Sequence, residues 1–71
     1  MALLDVPGIH KMLSGLTENR RQAIESASER GAIDIEDTRF WQLIRAGHFG
    51  AAATYLLDRG CEIEADMLWA G

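Results

Sequence analysis

The sequence predicts an all-α fold of four or five short helices, in a compact bundle or orthogonal arrangement. Three observations predict it. Apolar residues recur at three- and four-residue spacing along most of the chain. Single glycines at 15, 31, 47 and 60 close those runs, and helices commonly end on a glycine in the left-handed conformation. The lone proline, Pro7, opens the first run, where its missing N–H costs a helix nothing.

Each element follows from its residues. Pro7 with Asp5 or Val6 before it starts a helix over about 7–14, and Ile9, Met12, Leu13 and Leu16 form its stripe. Thr17 caps a second helix over 18–30, with Glu18 in its first turn. Its apolar face, Ala23, Ile24 and Ala27, is thin. Small residues there let another helix approach closely but bury little area themselves. Asp34 or Asp37 caps a third helix over about 37–46, with Phe40, Leu43 and Ile44 inward. A fourth runs from about 48 to 58 on Phe49, Ala52, Ala53, Leu56 and Leu57.

Two stretches carry a period of two. In 32–36, Ile33 and Ile35 alternate with Asp34 and Glu36. In 61–67, Cys61, Ile63, Ala65 and Met67 alternate with Glu62, Glu64 and Asp66. Short strands at 32–36 and 61–65 are therefore expected as an option. The stretch 61–70 also reads as a helix through Ile63, Met67 and Ala70, and Ala, Glu and Met disfavour strands. An internal echo spans 29 residues: Glu29-Arg30-Gly31-Ala32 returns as Asp58-Arg59-Gly60-Cys61. The shared residues are helix-end chemistry.

At 71 residues the chain is one domain, and a domain this small buries only about 60% of its unfolded surface. Such domains usually need a disulfide, a metal or a partner. Cys61 is the only cysteine, so no internal disulfide forms, and two histidines with one cysteine fall short of a zinc site. No cofactor is expected. Oligomerisation remains, with a homodimer favoured.

The formal charge is −4, and all of it falls in residues 31–71. That half either keeps the chain soluble or meets a basic partner surface. It disfavours nucleic acid, whose phosphates need clustered Lys and Arg. No run approaches the ~20 apolar residues of a membrane span. Met-Ala-Leu-Leu-Asp lacks the basic region of a signal peptide, and one unpaired cysteine fits a reducing compartment. A cytoplasmic protein is expected, in a host cytoplasm if the source is a virus.

Thr38, Gly47-His48, Leu56-Leu57, Gly60 and Ile63 together resemble part of a single ankyrin repeat. Arg39-Phe40-Trp41 stands where that family has Pro-Leu-His, and one extra residue separates Gly47 from Gly60. The resemblance covers 38–66 and implies a helix pair, a hairpin loop begun by a glycine, and a binding role. It implies no site residues.

No catalytic constellation assembles. Cys61, His48 and Asp58 are the types a nucleophilic triad uses. Positions 48 and 58 stand at opposite ends of one helix, ~15 Å apart by rise. Glu62, Glu64 and Asp66, with His10 and His48, lack the glycine turn and bidentate glutamate of a cation loop. Ala27 and Gly31 have helix-turn-helix spacing, with Arg20 and Arg21 upstream. Asp37 then stands where the second helix needs an aliphatic residue, and Asp34 and Glu36 repel phosphate.

The aromatic residues point elsewhere. Trp41 lies off the Phe40–Leu43–Ile44 face and beside Arg45 at four-residue spacing, and Tyr55 is offset from Phe49–Ala52–Leu56. Trp69 follows Met67-Leu68. Trp, Tyr and Arg are the residue types that anchor interfaces. The sequence therefore predicts a non-catalytic protein–protein interaction module using Trp41, Arg45, Tyr55, Leu57, Met67, Leu68 and Trp69, rimmed by Arg39, Arg45, Arg59 and acidic groups. A small phage or mobile-element inhibitor or adaptor of a host protein is the class it resembles. A homo-oligomeric structural or assembly subunit and a small DNA-binding regulator over 18–46 are the alternatives.

Overall fold

The computed structural model describes residues 7–71. Five helices follow in order: α1 (Pro7–Ser14), α2 (Glu18–Glu29), α3 (Thr38–Ala46), α4 (Phe49–Asp58) and α5 (Glu62–Ala70). The fold is all-α, and the described residues hold no strand. α1 begins at Pro7 as expected, and Asp5 and Val6, expected just before it, lie outside the described residues. Thr17 caps α2, its Oγ1 accepting the Arg20 amide at 3.3 Å.

Three helices end in the same way. Gly31, Gly47 and Gly60 have φ of 77°, 79° and 80°, a conformation that costs an L-residue about 1–2 kcal/mol. After α2 the Gly31 and Ala32 amides reach the Ser28 and Ala27 carbonyls; after α4 the Gly60 and Cys61 amides reach Leu57 and Leu56. These paired bonds are Schellman caps, and they are the physical content of the echo between 29–32 and 58–61.

Neither optional strand forms, and 61–70 takes the helical alternative. Residues 32–36 form a turned loop in which Ile33 is buried and Ile35 exposed. Acidic side chains hold it: the Glu36 amide donates to Asp34 Oδ1 and the Asp34 amide to Asp37 Oδ2, both at 2.8 Å. Such side-chain bonds replace the backbone pairing a strand requires. Residues 61–65 are the cap and first turn of α5. That helix buries Cys61, Glu64, Ala65 and Leu68 and leaves Ile63 66% exposed. A strand would have buried Ile63 and exposed Glu64. No hairpin follows Gly60, as the chain passes directly into α5.

α5 packs against both α2 and α4, and α3 packs on α4. The core runs from Ile9 and Leu13 of α1 through Ala23, Ile24 and Ala27, Ile33, Phe40, Ile44 and Leu56 to Leu68. The small face of α2 meets α5 where Glu64 is enclosed, 2% exposed. Glu64 Oε2 accepts from Ser26 Oγ at 2.7 Å and lies 3.2 Å from Arg30 Nε. Its Oε1 is buried without a hydrogen-bond partner. Arg20 adds a second tie: its Nε donates to the Leu68 carbonyl at 3.0 Å while its guanidinium lies 3.7 Å over the Phe49 ring. A cation at the C-terminal turn of α5 also suits the helix dipole.

The Ser26 hydroxyl holds the Glu64 carboxyl below its ordinary 4.5; burial opposes this, and Arg30 assists. The folded state therefore binds this proton less tightly than the unfolded chain. The stability it contributes is complete above the ordinary glutamate range and is lost as pH falls through the depressed value. Ser26→Ala should destabilise the fold by about 2 kcal/mol at neutral pH, the usual loss for a hydrogen bond to a charged group. It should also flatten the acid limb, which denaturant melts between pH 2 and 7 would show.

Candidate functional site

The residues expected to form one interface divide into three groups. Trp41 and Leu68 are buried, and Met67 packs half-buried against the core. These are internal positions. Trp41 lies edge-on to Phe40, with centroids 5.0 Å apart, and its Nε1 donates to the Asp34 carbonyl at 2.8 Å. Arg45 is exposed at the end of α3, beside Lys11, Met12 and Leu16. Leu57 and Trp69 are exposed and line one groove.

Tyr55 belongs to a polar clamp rather than an open face. Its hydroxyl donates to Asp37 Oδ1 at 2.7 Å and accepts from Arg59 Nη2 at 2.6 Å. Arg59 also reaches Asp37 Oδ1 at 3.3 Å and the Ala32 carbonyl at 2.9 Å, and its guanidinium stacks 4.3 Å over the Tyr55 ring. With Trp41 below, these groups fasten the 32–37 loop onto α3 and α4. Arg59 is thus occupied within the fold and does not rim the groove. Burial pushes the Asp37 carboxyl up, but bonds from Tyr55 and the Asp34 amide, with the Arg59 charge, bring it below its ordinary 3.8. Burial pushes the Tyr55 phenol above 10.0, and the Asp37 carboxylate pushes the same way.

The groove lies between α4 and α5 and has a volume of about 320 Å³. Gly50, Ala53, Thr54 and Leu57 form one wall, at the three- and four-residue spacing of a single α4 face; Ala65, Asp66 and Trp69 form the other. Leu57 is 50% exposed and Trp69 65%. The fourth-helix stripe is thereby corrected: Leu57 falls one step beyond the Ala52–Ala53–Leu56 face and points outward. The indole is seated on Gly50, where a Cβ would stand 2.9 Å from Trp69 Cζ3. A glycine inside a helix costs about 1 kcal/mol relative to alanine, and the close approach of the ring accounts for it here.

The edge of this groove is acidic. Asp58, Glu62 and Asp66 are exposed, and none has an ion-pair partner among the described residues. Glu62 in the first turn of α5 favours that helix. Asp58 is the last residue of α4, where a carboxylate opposes the helix dipole at about 0.3–1 kcal/mol. Asp58 and Asp66 are among the acidic groups the sequence offers as a rim, whereas Gly50 is not singled out by the sequence. The signal for Gly50 was a glycine inside the first turn of α4, where no helix stop is needed.

No acid–base or metal constellation forms around these residues. Cys61 is buried, and His48 and Asp58 stand at opposite ends of α4. Among the described residues, no three of His, Cys, Asp and Glu gather as metal ligands. No described helix is long and apolar enough to cross a membrane. In comparisons with known proteins, no family model matches the chain, and no curated protein or solved structure gives a significant match.

Two measurements check this geometry. Tyr55 is the only tyrosine, so an alkaline absorbance titration reads it alone. Its midpoint should lie above 10.0 in the folded protein, and Asp37→Asn should lower it. Gly50→Ala should keep the helix yet lift the indole off α4, raising tryptophan quenching by iodide.

Proposed function

We propose that this chain is a non-catalytic protein-interaction module that docks the α4/α5 groove onto another protein, with Leu57 and Trp69 as anchors. One observation carries the reading. Two large apolar side chains stay exposed on facing walls of one groove, while Trp41, Phe40 and Leu68 are enclosed in the core. An exposed tryptophan at the rim of an apolar groove is a recurrent interface anchor. Small size, acidity and a free buried cysteine support an inhibitor or adaptor of the phage or mobile-element kind, working in a reducing cytoplasm.

Photo-crosslinking in cells tests it. A benzophenone amino acid at position 57 should trap one discrete protein adduct. The same probe at the exposed Asn19 of α2 should not. Trp69→Ala should abolish the adduct at 57 without changing the melting temperature by more than a few degrees, because the ring is mostly exposed. Equal adducts at 57 and 19, or none at 57, would remove the reading.

A further inference from the structure

We infer that the occupant of the α4/α5 groove is an amphipathic helix of a partner protein whose apolar stripe is flanked by lysines or arginines. The inference rests on the interaction reading above and adds the chemistry of the partner. Two features of the groove define that chemistry.

The first is spacing. The Trp69 ring rests on Gly50, and Leu57 lies seven residues further along α4. Seven residues are two helical turns, about 10 Å. Between the anchors, the α4 wall offers only Ala53 and Thr54, and Ala65 faces them from α5. The floor is therefore low, with a tall side chain at either end. An incoming helix can lay side chains at i, i+3 or i+4 and i+7 along such a trough.

The second is charge. Asp66 lines the groove itself. Asp58 adjoins Leu57, and Glu62 stands one turn before Asp66 on the same edge of α5. The two arginines that contact α4 or the end of α5 are committed within the fold: Arg59 to Ala32, Tyr55 and Asp37, and Arg20 to the Leu68 carbonyl and the Phe49 ring. The groove thus meets solvent as an apolar trough with uncompensated carboxylates. Basic residues beside an apolar stripe complement it. A second copy of this chain does not, since pairing this face across a two-fold axis sets like charges together. The same carboxylates repel phosphate groups of nucleic acid and lipid.

The test uses the full chain and three synthetic helices of about 18 residues, roughly five turns. One carries leucines at i, i+3, i+4 and i+7 flanked by lysines. The second has the same leucines flanked by glutamates. The third scrambles the leucines among the lysines. Calorimetry should show binding of the first alone. Asp58→Asn with Asp66→Asn should weaken it about tenfold, as should a rise in salt, and Trp69→Ala should weaken it at least as much. Equal binding of the glutamate helix, or indifference to the two Asn substitutions, overturns the basic partner while leaving an apolar docking face in place. Equal binding of the scrambled helix overturns it too, because charge alone would then suffice. Failure of all three helices overturns the helical occupant, and the adduct at position 57 then decides whether the interaction reading survives. An adduct of twice the chain mass identifies a second copy as the occupant and overturns the inference.

Discussion

The contact between α2 and α5 is the constraint on which the rest of the fold depends. Ala23 and Ala27 bring almost no bulk to it, so α5 can settle deep against α2 and still reach α4 on its other side. The same closeness encloses Glu64, and an enclosed carboxylate is tolerable only when it is bonded. Ser26 of α2 bonds Oε2 and Arg30 at the C-cap of α2 pairs with it, while Oε1 stays without a partner. Packing and the contacts to Glu64 Oε2 therefore come from α2 and its C-cap. Enlarging either alanine would push α5 outward and break both together.

A second lock stands close by, where Arg59 reaches the Ala32 carbonyl two residues beyond Arg30. The 32–37 loop has no regular structure of its own, yet it carries Ile33 into the core. Trp41, Tyr55 and Arg59 spend their polar atoms holding it there, through Asp34, Asp37 and the Ala32 carbonyl. In a chain with five aromatic residues, this use of Trp41 and Tyr55 leaves Trp69 as the large exposed ring. Two carboxylate–arginine contacts thus fasten the fold, Glu64 with Arg30 and Asp37 with Arg59, and both arginines border one pocket with Gly31, Ala32 and Cys61. The two arginines sit at the matching Schellman caps of α2 and α4, which gives the repeated Arg-Gly pair a consequence beyond helix termination.

The α4/α5 groove is what remains once these contacts are made. α5 offers one flank to α2 and the other to α4, and α4 also receives α3. Among the described residues, no further helix covers the outer edge between α4 and α5. Leu57 and Trp69 are left there, with Gly50 and Ala53 too small to fill the space between them.

The helices were legible in the sequence because their causes are local. Thr17 caps, glycines stop, and apolar spacing selects a face, so α1 to α4 fall within a residue or two of their expected bounds. Close approach to the Ala23–Ala27 face was legible for the same reason. What the sequence could not decide was which of two competing patterns α5 would follow. The alternation at 61–67 loses because the burial of Glu64 depends on Ser26 and Arg30, more than thirty residues away. Likewise Trp41 and Tyr55 carry the composition of interface anchors, but their polar atoms find partners in a distant loop and become internal. Trp69 is of the same residue type, and it stays exposed beside Leu57. Residue type is set by the sequence, whereas exposure is set by which neighbours the completed chain brings within reach.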